Sequence, residues 1–147
     1  MSIRSARGPG AILARLPALP RPMPTTERPG PLLVVDDAAE VRQSLRRYFA
    51  RYVDRVLVAG TPAEAEGALR SAPVTALLCD YWLGAEHPPA TALIPGWRAA
   101  HPSVRRVVLM TGTKTSSLDG SPGVDAVFHK PFDLEVVRAF LFAPFEP

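Results

Sequence analysis

From position 31 onward, apolar residues form short runs that alternate with longer amphipathic segments. Five runs are rich in valine and leucine and nearly free of polar residues, as in strands buried on both faces of a sheet. The predicted strands cover 31–36, 55–60, 75–80, 105–112 and 125–129. The predicted helices cover 38–52, 62–71, 90–100 and 133–142. Strand and helix therefore alternate along most of the chain.

This alternation predicts an α/β domain. Buried strands joined by helices form a parallel sheet that is covered on both faces, with right-handed crossovers. In the third helix, Pro95 and Gly96 interrupt the pattern and should kink or shorten it. Binding sites in such doubly wound sheets lie beyond the carboxyl ends of the strands.

Charge and proline divide the chain into two parts. Residues 1–30 contain six prolines, five arginines and one acid, whereas residues 31–147 contain 12 basic and 13 acidic residues. We predict a disordered Pro/Arg-rich extension over 1–30 and one folded domain over 31–147. The extension is either an unstructured tail or a basic arm that touches an acidic partner, and Met23 offers an alternative start of translation.

Several classes of protein are disfavoured. No apolar run approaches the roughly 18–20 residues that span a bilayer, so we expect a cytoplasmic protein without membrane insertion. The single cysteine, Cys79, excludes an internal disulfide. The folded part lacks the excess positive charge of a nucleic-acid-binding surface. The three histidines have no ligand-like spacing, and P-loop and G-x-S-x-G motifs are absent.

Polar side chains follow the predicted strands at the edge where sites form. Asp36 and Asp37 follow the first strand, Asp80 ends the third, Thr111 lies in the fourth, and Lys130 follows the fifth. Adjacent carboxylates repel each other and resist burial, so something must offset that cost. Carboxylate oxygens are the ligands that Mg²⁺ prefers, and the sequence therefore predicts a magnesium site.

A magnesium site of this kind suits phosphoryl chemistry. One acid can attack phosphorus while the metal, the Lys130 ammonium and the Thr111 hydroxyl neutralise or hydrogen-bond the phosphoryl oxygens. Each signal alone is weak, and Asp37 is also predicted to help cap the first helix. The order and spacing of the whole set are the stronger argument.

The stretches "LLVVDD", "ALLCDYWL", "VVLMTG" and "FHKPF" occur in one order on successive elements. With them, residues 32–142 resemble the receiver domain of two-component response regulators. The resemblance implies a flavodoxin-like fold, a five-stranded parallel sheet of strand order 2-1-3-4-5. It also implies that Lys130-Pro131 is a cis peptide bond.

The resemblance assigns roles to the polar residues. Asp80 is the expected phosphoacceptor, Thr111 and Lys130 assist it, and Asp36 and Asp37 hold Mg²⁺. In this assignment Asp37 binds the metal directly and Asp36 binds it mainly through water. Asp80 and the backbone carbonyl of Trp82 complete the metal site. The donor would be a histidine kinase or a histidine phosphotransfer protein.

Two features depart from the family pattern. Three residues before the lysine the family usually has an aromatic residue that turns inward on activation, whereas this chain has Val127. Phe128 is one position later and should point to the other face of the sheet. The segment between Thr111 and Lys130 is short and polar, so we expect the helix between the fourth and fifth strands to be short or irregular.

These observations predict a stand-alone receiver, of bacterial origin by composition, that is phosphorylated on Asp80 and signals to an unknown downstream protein by contact. It would not be an enzyme, although its site assists its own phosphorylation and dephosphorylation. The alternative is a pseudo-receiver that serves as a phosphorylation-independent interaction or scaffold module. Val127 and the irregular helix between the fourth and fifth strands favour this alternative. The complete set of three acids, Thr111 and Lys130 opposes it. A nucleic-acid adaptor using the arginine arm is a weaker third possibility.

Overall fold

The structure is a computed structural model that describes residues 28–112 and 118–143. The described residues form five strands and four helices. The strands are β1 Leu32–Val35, β2 Val56–Ala59, β3 Ala76–Asp80, β4 Arg106–Thr111 and β5 Ala126–His129. The helices are α1 Ala39–Phe49, α2 Pro62–Ser71, α3 Ala90–Ala100 and α4 Leu134–Leu141. Each predicted strand and helix is therefore present, with bounds that differ by a few residues.

All neighbouring strands pair in parallel, in the order β2-β1-β3-β4-β5. This is the doubly wound, flavodoxin-like sheet that the resemblance implied. The order reverses at β1 and β3, which places a crevice between the loops that follow these two strands. Both loops carry acids that the sequence analysis selected.

Successive residues of the central strands point to opposite faces, as a pleated sheet requires. On one face, Leu33, Leu77 and Leu109 pack under α2 and α3; on the other, Leu78 and Met110 pack under α1 and α4. The central strands are buried almost completely, which explains why they have no polar alternation in the sequence.

Helix α3 runs through Pro95 and is not shortened. A proline inside a helix costs about 3 kcal/mol because it removes a hydrogen bond and crowds the preceding turn. Ile94 and Trp97, on either side of Pro95, are buried in the core, and burial of each contributes roughly 1.5–3 kcal/mol. Core burial therefore offsets the cost. The expectation of a shortened helix was wrong, whereas the alternative expectation of a kink stays a prediction.

The described residues between β4 and β5, at 112 and 118–125, contain no α-helix. Leu118 is buried against the core, and the Arg98 guanidinium holds the end of the connection. Arg98 donates to the carbonyl of Gly123 at 2.9 Å, to Asp125 Oδ2 at 3.0 Å and to the carbonyl of Arg105 at 3.1 Å. The irregular connection is thus tied to α3 by side-chain hydrogen bonds.

The predicted extension falls mostly on residues outside the described part. Within that part, Arg28 donates to the carbonyl of Arg51, and the Asp54 amide donates to the carbonyl of Pro29 at 2.7 Å. The Lys130-Pro131 peptide bond is cis, as predicted, and so is Gly30-Pro31. None of the described helices is long and apolar enough to cross a bilayer.

Candidate functional site

The carboxyl ends of β1, β3 and β4 bring together the polar residues that the sequence analysis selected. Asp36 follows β1 directly, Asp80 is the last residue of β3, and Thr111 is the last residue of β4. All three side chains are buried or nearly so. Parallel strands therefore deliver two acids and a hydroxyl to one edge of the sheet, as their positions predicted.

Asp36, Asp37 and Asp80 form an acidic cluster. One carboxylate oxygen from each lies within 4.8 Å of the others, and only Asp37 is exposed. Three convergent carboxylates offer the oxygen donors that a small, hard cation prefers. Within the described residues this is the only group of three or more acids, histidines or cysteines with such geometry.

Lys130, which directly follows β5, completes the site. Its Nζ lies 3.5 Å from Asp80 Oδ1 and 3.6 Å from Asp36 Oδ2. The last residue of β5, His129, is paired with Thr111 in the sheet register, and the Lys130 amide donates to the Thr111 carbonyl at 2.8 Å. The backbone of β4 thereby fixes where the lysine enters the site.

The two oxygens of Asp36 have different surroundings. Oδ1 accepts a hydrogen bond from the Ala38 amide at 2.9 Å, at the start of α1. Oδ2 is buried and has no hydrogen-bond partner among the described residues, although the lysine charge is near. A buried carboxylate oxygen without a hydrogen bond is costly, and a cation in the acidic cluster would compensate it. The predicted capping role of Asp37 was wrong, because Asp36 accepts this hydrogen bond.

Burial raises the pKa of Asp80 from its usual value of 3.8 to about 6, and repulsion by Asp36 adds to the shift. The Lys130 ammonium lowers the pKa and opposes both effects. Asp80 is therefore ionised at neutral pH, but its charge is poorly compensated by the protein alone. A carboxylate in this state has a high affinity for a cation or an electrophile.

No protein-family model and no curated protein matches the chain. Solved structures do. A response regulator from Burkholderia pseudomallei, described with a phosphorylated aspartic acid and a calcium ion, is 24% identical with a TM-score of 0.67, over 76% of this chain and 66% of that one. A CheY-like receiver domain protein from Methanospirillum hungatei is 23% identical with a TM-score of 0.63, over 75% of this chain and 91% of that one. This chain has the fold of a response regulator receiver domain.

A third receiver-fold structure is TrrA from Thermotoga maritima, described in complex with Mg²⁺ and BeF. It is 18% identical with a TM-score of 0.63, over 74% of this chain and 93% of that one. The present chain spans just under two thirds of the Burkholderia protein. The property that this chain shares with these structures is the fold.

Trp82 follows Asp80 in the loop that leads out of β3 of the receiver fold. The backbone of the preceding residue is held in place: the Tyr81 amide donates to the Met110 carbonyl at 2.8 Å, and the Tyr81 carbonyl accepts from the Ala90 amide at 2.9 Å. The indole is 51% exposed and is the one exposed large hydrophobic side chain of the described residues. Its predicted role as a backbone metal ligand stays a prediction.

One residue beside the site was not predicted from the sequence. Arg42 Nη1 donates to the Asp36 carbonyl at 2.8 Å, which ties α1 to the end of β1. No motif indicated it, because the contact depends on how α1 packs beside the sheet. Its position on α1, six residues after the first acid, was the only available signal.

The departure from the family pattern at position 127 can be located in the receiver fold. Val127 packs with the core under α2 and α3, whereas Phe128 packs on the opposite face against Phe132 and Phe140. The prediction that these neighbours point to different faces is confirmed. The ring of Phe128 lies on the α4 side of the sheet, so it cannot take the position of the Val127 side chain.

Proposed function

We propose that this chain is a phosphoacceptor receiver that takes a phosphoryl group from a histidine kinase or a histidine phosphotransfer protein on Asp80. The observation that carries the proposal is the convergence of three carboxylates and one ammonium at the ends of the central strands. This arrangement combines a cation site, a nucleophile and a positive charge for a phosphoryl group.

The residues present fit a magnesium ion. Asp36, Asp37 and Asp80 would hold it with their side chains, and the Trp82 carbonyl would be a further ligand. The unsatisfied Oδ2 of Asp36 supports this assignment. When bound, the metal would supply positive charge that offsets the repulsion between the acids and neutralises the phosphoryl oxygens.

In the proposed reaction, an Asp80 carboxylate oxygen attacks the phosphorus of a phosphohistidine. The new O–P bond forms as the P–N bond breaks, and the departing imidazole takes up a proton. The Lys130 ammonium and the Thr111 hydroxyl contact the transferred phosphoryl oxygens. Hydrolysis of the aspartyl phosphate by water would release inorganic phosphate and regenerate Asp80.

Two structures with this fold support the proposal. The Burkholderia response regulator is described with a phosphorylated aspartic acid, and TrrA with Mg²⁺ and BeF. We propose the same chemistry here, in a bacterial, cytoplasmic receiver that acts by protein contact on an unknown downstream protein. The chain would accept a group rather than turn over a substrate, so we do not class it as an enzyme.

A second candidate function is a pseudo-receiver that uses the fold as a phosphorylation-independent scaffold. The observation that favours it is the placement of Val127 and Phe128 on opposite faces of β5. Position 127 carries no aromatic ring, and the ring of Phe128 lies on the wrong face to turn toward the acceptor in its place. In this case the acids would bind metal without a working switch.

The test is a titration with Mg²⁺ and then with beryllofluoride, a mimic of the aspartyl phosphoryl group, followed by tryptophan fluorescence. Wild type, Asp80→Asn and the matched control Asp54→Asn, which is exposed and distant in sequence from the site, are compared. We expect a saturable Mg²⁺ response, and then a beryllofluoride response in wild type and Asp54→Asn only. A Mg²⁺ response without a beryllofluoride response would support the scaffold, and no response to either would contradict both functions.

A further inference from the structure

A small cleft lies between α1 and the edge strand β2, outside the acidic cluster. Its volume is about 140 Å³, and it is lined by Ala39, Arg42, Gln43, Arg46 and Val58. The polar lining consists of two guanidinium groups and one carboxamide, with no acidic side chain. We propose that this cleft binds the phosphate group of a small soluble anion.

Arg42 is held in position before any ligand arrives. Its Nη1 donates to the Asp36 carbonyl at 2.8 Å, and its guanidinium lies over Gly60, where a Cβ would come within 2.6 Å of Nη1. The glycine therefore leaves the space that the guanidinium fills. A guanidinium has five N–H donors, so the contact to Asp36 leaves others for a ligand, and its fixed orientation lowers the entropy cost of binding.

Arg46 lies one helical turn after Arg42 on the same side of α1. Like charges four residues apart on a helix repel each other, and neither arginine has an acidic ion-pair partner among residues 28–112 and 118–143. Arg46 is exposed. An anion between the two guanidinium groups would remove the repulsion and accept charge-assisted hydrogen bonds from both.

The chemistry and size of the cleft select a phosphate group. Planar guanidinium groups match phosphate oxygens in a bidentate manner, and the Gln43 amide adds donors. A volume of about 140 Å³ is below the roughly 300–1,000 Å³ of pockets that enclose drug-sized ligands. The phosphate would thus be enclosed while the rest of the molecule stays outside.

A soluble anion is favoured over a lipid headgroup. Amphipathic helices that lie on membranes insert large apolar side chains beside their basic residues. Within the described part of the chain, the one exposed large apolar side chain is Trp82, on the loop after β3 rather than on α1. The cleft therefore offers charge without an apolar anchor.

The test is an NMR titration of the ¹⁵N-labelled full chain with inorganic phosphate, at constant ionic strength set with chloride. Amide shifts of Val58 and Gly60 report the cleft, and those of Thr111 and Lys130 report the acceptor site, so phosphate at the two sites is distinguished. The variant is Arg46→Gln. The control is Arg47→Gln, which removes the same charge from the adjacent exposed position on α1 but does not line the cleft.

We expect saturable amide shifts at the cleft in wild type and Arg47→Gln. In Arg46→Gln the affinity for phosphate should be about tenfold lower than in wild type, or lower still, because one charge-assisted hydrogen bond is lost. Equal affinities in the two variants, or shifts confined to the acceptor site, would overturn the proposal. Vesicles containing phosphatidic acid form the second arm. Vesicle binding that needs Arg46, without binding of free phosphate, would also overturn it by assigning the cleft to a headgroup. The result is independent of whether Asp80 is phosphorylated.

Discussion

Lys130 Nζ lies 3.5 Å from Asp80 Oδ1, so the ammonium that follows β5 faces the carboxylate that ends β3. The same Nζ lies 3.6 Å from Asp36 Oδ2. One lysine thus faces both buried acids. Its charge lowers the pKa of Asp80, whereas burial and repulsion by Asp36 raise it. The contact connects three strands that lie far apart in sequence, and several predictions depend on it.

Replacement of Lys130 by Met should weaken beryllofluoride binding by about tenfold or more, because one charge-assisted contact to the phosphoryl mimic is lost. The pKa of Asp80 should also rise above about 6, since its stabilising cation is removed. Fluorescence titration measures the first effect. Arg70→Met, at an exposed position in α2, is the control and should bind like wild type. Equal binding by Lys130→Met would show that the ammonium does not contact the phosphoryl group.

Magnesium affinity should fall as pH decreases through about 6. Protons compete with the metal for the Asp80 carboxylate, whose pKa is raised to about 6. At pH 5 only about a tenth of Asp80 is ionised, so the apparent affinity should be about tenfold lower than at pH 8. Titration of Mg²⁺ at both pH values, followed by tryptophan fluorescence, checks this. In Asp80→Asn the difference should largely disappear, and an equally large difference there would assign the titration to another group.

Without metal, Asp80→Asn should stabilise the protein at pH 7.5, and the gain should be about a third as large at pH 4.5. The folded-state pKa of Asp80 lies above its usual value, so the folded state binds more protons than the unfolded state between about pH 4 and 6. Stability is therefore lost as pH rises through this range, and the amide removes the penalty. We expect a gain of about 1–3 kcal/mol, or several degrees in Tm. Thermal unfolding in EDTA measures it, and Asp54→Asn should show no such pH-dependent gain.

Gly123→Ala should destabilise the domain more than Gly120→Ala. Both glycines have a φ of +81°, which costs any other residue about 1 kcal/mol. A Cβ at Gly123 would lie 3.2 Å from Ile94 Cγ2, whereas a Cβ at Gly120 meets nothing within 4 Å. The difference between the two variants, on the order of 1 kcal/mol, isolates the contact between the β4–β5 connection and α3. Urea denaturation measures it, and equal losses would mean that the connection can move away from Ile94.

Arg98→Ala should cost about 1–3 kcal/mol in free energy of unfolding. The guanidinium donates three hydrogen bonds, including one to Asp125, whose Oδ2 also accepts from the Val107 amide at 2.8 Å. Its loss leaves carbonyl and carboxylate acceptors without this donor. Urea denaturation is the measurement. Arg70→Ala is the control, and a loss no larger than its loss would contradict a role of Arg98 in holding the connection.

Local pattern was enough to predict the strands and helices. Strands buried on both faces must be continuously apolar, and helices that cover them must repeat their apolar residues every three or four positions. The convergence of Asp36, Asp80, Thr111 and Lys130 also followed from the sequence, because parallel strands end at one edge. The order of the strands came from the resemblance to receiver domains.

Tertiary packing decided the rest. Helix α3 continues through Pro95 because Ile94 and Trp97 are buried in the core. The helix propensities of the residues do not include this gain in burial energy. The Ala38 amide donates to Asp36 rather than to Asp37, and the Asp36 side chain that accepts it is buried by the surrounding sheet and helices. The cleft at Arg42 and Arg46 exists because α1 packs beside an edge strand. Sequence patterns determine periodicity and order, whereas contacts between elements distant along the chain depend on how those elements pack.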